Sequence, residues 1–209
     1  PYDNAGETIP PFKSKQIEVG VKVDWGRITT QAAIYQIKRP SAYATPSAVD
    51  PSMNHYSYDG EQRNRGLELT AYGELQRGLR LMASTAFTSA KLTRTQGGVN
   101  QGNTATGVPK INYNLGLDWD TPWVQGLSLN GRVVNSSSVY RDVANTLSTS
   151  GWTRLDLGAR YATKLAGKAV VFRANLENVT DKAYWITGLN SYSTTGLPRT
   201  LTVSAQVDF

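Results

Sequence analysis

Apolar and polar residues alternate with a period of two along most of this chain, in runs rich in Val, Ile, Leu, Tyr and Thr. Successive side chains of a strand point to opposite faces, so each run predicts a strand with one apolar and one polar face. The C-terminal run is the clearest. Leu201, Val203, Ala205, Val207 and Phe209 share one face, and Thr200, Thr202, Ser204, Gln206 and Asp208 share the other. Upstream, Val170, Phe172, Ala174 and Leu176 oppose Val171, Arg173, Asn175 and Glu177, and Leu155, Leu157, Ala159 and Tyr161 oppose Asp156, Gly158 and Arg160. Further runs cover 127–133, 113–119, 79–87, 67–71, 28–34 and 17–25. The chain reads as all-β with about nine antiparallel strands.

Strand and connection lengths narrow the architecture. A soluble strand averages roughly 5–6 residues, whereas a tilted membrane strand needs roughly 9–11; these runs are of the longer kind. Tight turns at Gly26-Arg27, Gln76-Arg77-Gly78, 122–126 and Ala166-Gly167-Lys168 alternate with long polar segments near 40–61, 94–108, 136–150 and 186–196. Short turns on one rim and long loops on the other are the asymmetry of a transmembrane β-barrel, turns periplasmic and loops extracellular. Trp25, Trp119, Trp123 and Tyr161 fall at or near the turn-side ends, where interfacial aromatics belong. An odd strand count leaves such a barrel open. More strands are therefore expected upstream, the first and last strands both run toward the periplasm, and residues 1–14 read as the tail of an extracellular loop.

Composition supports this picture. Hydrophobic residues make up 39% and mean hydropathy is −0.39. No run approaches the roughly 18 apolar residues of a membrane helix, whereas a barrel strand needs an apolar residue only at every second position. The 209 residues suffice for one domain. Without cysteine there is no disulfide, thiolate metal site or cysteine nucleophile. The 22 Lys and Arg and 16 Asp and Glu, net +6, are scattered, so nucleic acid is not an expected partner. With one histidine and no nucleophile or metal-ligand spacing, neither an enzyme, a metal site nor an intrinsic cofactor is expected. Residues 1–12 are polar, contain Pro10-Pro11 and lack a secretory-leader pattern; with no initial Met, the chain reads as a fragment or processed product.

Several stretches, in order and spacing, resemble one family, the TonB-dependent siderophore receptors. The segment Pro11-Phe12-Lys13-Ser14-Lys15-Gln16-Ile17-Glu18-Val19-Gly20-Val21-Lys22 is similar to one of its barrel strands, Ala33-Ile34-Tyr35-Gln36-Ile37 to the next, and Arg65-Gly66-Leu67-Glu68-Leu69 to the one after the following loop. The densest match runs from Trp152 to Tyr161 and then through Arg173-Ala174-Asn175-Leu176-Glu177-Asn178-Val179-Thr180-Asp181-Lys182-Ala183-Tyr184-Trp185. It closes on Gly196-Leu197-Pro198-Arg199 and a terminal Phe. The resemblance covers essentially the whole chain. It implies that residues 1–209 are the C-terminal part, about the last nine strands, of a 22-stranded barrel in the outer membrane of a Gram-negative bacterium, with a plug domain encoded upstream. The implied function is iron transport: a receptor importing a ferric siderophore as its transported ligand. Its implied partners are the missing plug and barrel strands, the lipid bilayer, and the TonB-ExbB-ExbD complex, reached through the absent N-terminal region.

A bulky chelate calls for flat aromatic surfaces and a few donors or cations where loops meet the lumen. Arg39, Tyr43, His55, Tyr56, Tyr58, Tyr140, Arg141, Tyr184, Trp185 and Tyr192 lie at the expected extracellular ends and are the candidate ligand contacts, with loop packing as the alternative role of each. On the polar face, Glu18, Lys22, Glu68, Arg80, Arg132, Asp156, Arg160, Arg173 and Glu177 are expected to pair across the ladder or to meet the plug. Phe209 resembles the C-terminal barrel-assembly signal. Hydroxamate, catecholate, phenolate and mixed chelates all remain open as ligands. The rival readings are a passive porin-like or adhesin-translocator barrel, and a soluble β-propeller or sandwich.

Overall fold

The computed structural model describes residues 1–8, 11–187 and 192–208. Strands β1 (Lys15–Asp24), β2 (Ile28–Pro46), β3 (Asn54–Gln76), β4 (Leu79–Arg94), β5 (Ile111–Asp120) and β6 (Leu127–Ser136) follow one another up and down. After a short hairpin of β7 (Val139–Tyr140) and β8 (Ser148–Thr149), the series continues with β9 (Trp152–Leu165) and β10 (Lys168–Glu177). A second hairpin, β11 (Trp185–Thr187) with β12 (Ser193–Thr195), precedes β13 (Thr200–Val207). Leaving out the two hairpins, nine strands form one antiparallel sheet in chain order, β1-β2-β3-β4-β5-β6-β9-β10-β13. The final strand pairs with β10 from Val170↔Val207 to Glu177↔Thr200, as the alternation requires. Phe209 lies outside the described residues.

The register aligns the two faces across the whole sheet. One apolar row passes through Leu81↔Leu117, Leu117↔Gly131, Gly131↔Leu157 and Leu157↔Leu176, ending at Leu176↔Leu201. A one-residue slip in any ladder would send that strand's apolar set to the polar side. Burial is inverted relative to a soluble sandwich. Ile17, Val19, Leu115, Leu117, Leu157, Leu201 and Val203 are exposed, whereas Gln62, Ser128, Asp156 and Asn178 are buried. Such a sheet is stable only where its apolar face meets hydrocarbon, and there the continuous ladder satisfies the backbone. At the turn end, the Trp119 and Trp123 rings meet edge to face at 4.8 Å, and Trp25 donates its indole N–H to Thr30 Oγ1 at 2.9 Å. Both fit an interfacial girdle.

The long polar segments are more ordered than their composition suggests. The stretch 40–61, expected as a loop, instead continues β2 and β3 into a projecting arm joined only by 47–53. A register shift between Ser41 and Tyr43, beside Pro40, keeps the arm paired. Proline lacks an N–H for the ladder, and a bulge absorbs the defect. Tyr43, Thr45, Tyr56 and Tyr58 favour extended backbone even though the segment is polar. Segment 94–108 bends over a single turn at Gln96–Gly98 and is tied to β4 by Ala105 N–H donating to Ala90 O at 3.0 Å.

Two outcomes test this architecture in the intact protein. Val203→Arg should cost about 2–4 kcal/mol of barrel stability while Thr202→Arg, on the polar face, is tolerated. Folded fraction in lipid vesicles, read by heat-modifiable gel mobility, checks it, and equal effects would invert the face assignment. Gly126 and Gly167 both adopt positive φ, 83° and 80°, but only at Gly126 would a Cβ run into the Ala162 carbonyl. Gly167→Ala should therefore cost about 1–2 kcal/mol, the left-handed penalty alone, and Gly126→Ala clearly more in the same assay. Matching losses would refute the steric account.

Candidate functional site at the loop end

The polar face is built in rungs, each joining one residue from several adjacent strands. Nearest the turns, Arg80 pairs with Asp118 and Asp120, while Arg160 approaches Asp120 at 3.6 Å and donates to Ser128 Oγ at 2.8 Å. One level up, β6 and β9 place Arg132 opposite Asp156. Above that lie two rungs, Thr70, Ser84, Asn114 and Val134 ending at Arg154, then Glu68, Ala86, Asn112 and Ser136 ending at Trp152, whose members between Thr70 and Val134 and between Ala86 and Ser136 are uncharged and mostly short. Their short side chains leave a hollow of about 450 Å³, walled on the loop side by Trp152, Trp185 and Ile186.

A hydrogen-bonded relay holds those walls. Asp156 Oδ2 accepts from Arg132 Nη2 at 2.8 Å and from Arg154 Nη2 at 2.9 Å, and Oδ1 accepts the Asn178 backbone N–H at 2.9 Å. Asn178 follows the last residue of β10, is fully buried, and adopts positive φ (52°), which Asn tolerates better than most residues. Its Nδ2 donates to the carbonyls of Lys182 and Leu197, each at 3.0 Å, and its Oδ1 accepts the Lys182 N–H at 2.9 Å. One side chain thus clamps both ends of the loop between β10 and β13. Within that loop Tyr184 packs on Trp152 with ring centroids 4.5 Å apart and accepts from Arg154 Nη1 at 3.4 Å. Gly196 lies under the Tyr184 ring, where a Cβ would collide with it. With Tyr184 fixed and buried, its neighbour Trp185 stands exposed between the hollow and a second, outer cavity of about 720 Å³.

The ten candidate residues divide into separate groups. Arg141, Tyr184, Trp185 and Tyr192 converge on the outer cavity, together with Lys182. Tyr140 lies in the adjoining hairpin, its carbonyl accepting the Gly107 N–H at 2.9 Å. Arg39 bonds Gln62 Oε1 at 3.1 Å within the sheet, and Tyr43 lines a separate recess with Leu92, Val99 and Val143. His55, Tyr56 and Tyr58 pin the chain's first residues to the arm. Tyr56 meets Tyr2 at 5.9 Å, Tyr58 meets Phe12 at 4.2 Å, and His55 Nδ1 lies 2.9 Å from Asp3 Oδ1. The Ser47 hydroxyl, with the His55 ring, holds the Asp3 carboxyl below the usual carboxylate range.

The expected charge pairing holds for Arg80, Arg132, Asp156 and Arg160. Arg173 instead bonds Gln206 at 3.2 Å, Glu18 accepts from Gln16 at 2.9 Å, and Lys22 sits 5.9 Å above the Tyr72 ring. Sequence reasoning passed over Trp152, Asn178, Lys182 and Asn114 as site residues. For Asn178 a signal existed: an Asn directly after an alternating run, in the stretch most like the family.

The family described as TonB dependent receptor-like, beta-barrel, matches residues 1–179. The ferrichrome receptor FcuA of Yersinia enterocolitica is 42% identical over 211 residues, covering 100% of this chain and 27% of that protein. The ferrioxamine B receptor of Salmonella typhimurium is 28% identical over 196 residues, covering 91% and 27%. The crystal structure of BauA, the ferric preacinetobactin receptor from Acinetobacter baumannii, has a TM-score of 0.89 to this chain at 42% identity, covering 100% of this chain and 31% of that one. The chain thus spans less than a third of the length of these relatives. By the family match, the ladder of alternating strands and the likeness to BauA along its full length, this chain belongs to the TonB-dependent receptor β-barrel family.

Proposed function

We propose that this chain is the C-terminal part of the barrel domain of an outer-membrane receptor that imports a ferric siderophore in a TonB-dependent manner. Relatives named as ferrichrome, ferrioxamine B and ferric preacinetobactin receptors support the ligand class, and the family supports a Gram-negative outer-membrane location. Membership in a receptor family also sets the chain apart from passive porin-like and adhesin-translocator barrels, and these relatives are transport receptors rather than enzymes. In the complete protein the nine strands would belong to a 22-stranded barrel holding a plug, which engages TonB-ExbB-ExbD. The observation that carries the proposal is the aromatic-walled hollow at the loop end, with Tyr184 and Trp185 held in place by the Asp156 and Asn178 relay. Apolar walls around a few directed polar groups suit a bulky chelate.

Deleting and restoring the intact gene, then scoring growth under iron limitation on purified ferric siderophores, tests the proposal. Growth on at least one chelate should depend on the gene, and growth on all of them without it would overturn the reading. In the purified full-length receptor, Trp185→Ala should weaken chelate binding roughly 3- to 10-fold through loss of one aromatic contact of about 0.5–1.5 kcal/mol. Unchanged affinity by fluorescence titration would remove Trp185 from the site. Asn178→Ala leaves buried backbone groups unpaired, at about 1–3 kcal/mol each. Limited proteolysis should then cut the loop between β10 and β13 faster while the barrel remains heat-modifiable, and wild-type cutting kinetics would show that Asn178 does not clamp it.

A further inference from the structure

On the outward, apolar face of the sheet one rung carries only cations. The register sets Lys15 against Lys38, Lys38 against Arg63 and Arg63 against Lys91, so four positive side chains stand in line across β1 to β4. Like charges directly opposite one another destabilise a sheet, and neighbouring strands lie only about 4.8 Å apart. Among the described residues no ion pair relieves the row. Lys91 donates to a neutral hydroxyl, Thr104 Oγ1, at 3.4 Å, and Arg65, one rung nearer the turns, donates to Gln36 Oε1 at 2.7 Å. On the loop side, Glu61 stands opposite a further cation, Arg94, and its carboxylate accepts the Thr93 hydroxyl at 2.7 Å. At the turn end of the same four strands the outward rung is uncharged: Val23, Thr30, Ala71 and Ala83.

The row marks a definite level of the barrel. Two rungs nearer the turns, Val19, Ile34, Leu67 and Phe87 belong to the lipid-facing belt. Lys15 lies ten residues before Trp25. That is about 33 Å of strand at ~3.3 Å per residue and, at a tilt of about 40°, about 25 Å of height, the thickness of the apolar band of an outer-membrane barrel. Trp25 thus stands at the turn-side edge of the hydrocarbon and the cations at its loop-side edge, level with the headgroups of the outer leaflet. Beside Arg65 and Lys91 opens a groove of about 570 Å³, lined also by Phe87, Ser89 and Lys110, which sets three cations around an aromatic ring. An acidic protein partner would have to reach down to the hydrocarbon edge to neutralise this row, whereas a lipid headgroup is already there. We propose that β1 to β4 carry a binding site for the phosphorylated headgroup of an outer-leaflet lipid. The row from Lys15 to Lys91 offsets its negative charge, and the groove beside Arg65 takes a phosphate with the start of an acyl chain against Phe87. Because β2 and β3 run on past Lys38 and Arg63 into the projecting arm, a lipid held there also braces the base of that arm. The proposal rests on the outer-membrane barrel reading and is independent of the chelate.

The test uses the purified full-length receptor in micelles of an uncharged detergent. Bound lipid is counted by native mass spectrometry, and the unfolding temperature is read by heat-modifiable gel mobility. Phosphatidic acid, with its monoester phosphate, should bind at least about tenfold more tightly than phosphatidylcholine and raise the unfolding temperature more. Lys38→Gln combined with Arg63→Gln removes the two middle charges of the row. This double variant should lose about tenfold in affinity for phosphatidic acid, yet unfold at the wild-type temperature or above it in lipid-free micelles, because the repulsion between strands has gone. The same charge change at the turn end, Arg77→Gln with Lys164→Gln, should leave affinity for phosphatidic acid within about twofold of wild type. Equal binding of phosphatidic acid by wild type and the Lys38→Gln, Arg63→Gln variant would overturn the proposal. So would earlier unfolding of that variant in lipid-free micelles, which would mean that the row is satisfied within the protein. Inorganic phosphate matching the stabilisation by phosphatidic acid would make this a free-anion site and overturn it too. None of these outcomes bears on chelate import, which the growth assay scores separately.

Discussion

A peptide group surrounded by hydrocarbon has no water to bond, so every N–H and C=O on the membrane face must find its partner in a neighbouring strand. From that constraint the rest of the molecule follows. It imposes a continuous antiparallel ladder, the ladder sends alternate side chains to opposite faces, and strand pairing lines them up in rungs. The apolar row from Leu81 to Leu201 and the polar rungs behind it are two sides of one register. Because the rungs are shared among strands, the volume at any level of the polar face depends on residues far apart in the chain. The hollow exists where Thr70, Ser84, Ala86 and Ser136, all short, fall on adjacent rungs.

Charge on the polar face is graded from turn end to loop end. The lowest rungs carry the Arg80, Asp118, Asp120 and Arg160 group, where carboxylates and guanidinium groups pair across strands. In the middle, Asp156 takes two arginines and a backbone N–H. Higher still, the hollow is nearly free of charge. Asp156 is therefore the junction between a wall stiffened by ion pairs and a loop that presents aromatic rings. Its second oxygen reaches Asn178, and Asn178 reaches both arms of the loop, so the loop that carries Trp185 is coupled to the rigid part of the sheet through Asp156 and Asn178. Positioning by a buried side chain gives a precision that a loop packed only by its own residues lacks.

The strands, their faces, the turn end with its aromatic residues and the family resemblance were all legible in the linear chain. Alternation is a local property, and one residue on each side suffices to read it. The loop end was only partly legible. Four of the ten candidate residues, Arg141, Tyr184, Trp185 and Tyr192, do converge, but His55, Tyr56 and Tyr58 pack against Asp3, Tyr2 and Phe12, and Arg39 is engaged within the sheet. The projecting arm of β2 and β3 reads in the sequence as a long polar loop, whereas backbone pairing continues wherever aromatic and β-branched residues keep the chain extended.

By itself the sequence determined the all-β class, the direction of each strand and which side chains share a face, because these depend on a period of two and on turn chemistry. Only the tertiary structure decided the register. Through register it decided that Asp156 would meet Arg132, that Asn178 would close the loop onto Leu197, and that Asn114 would line the same hollow as Glu68 and Trp185. Those contacts join residues up to 117 positions apart (Trp185 and Glu68). No local periodicity encodes such a distance; it is set by the sum of every ladder between them.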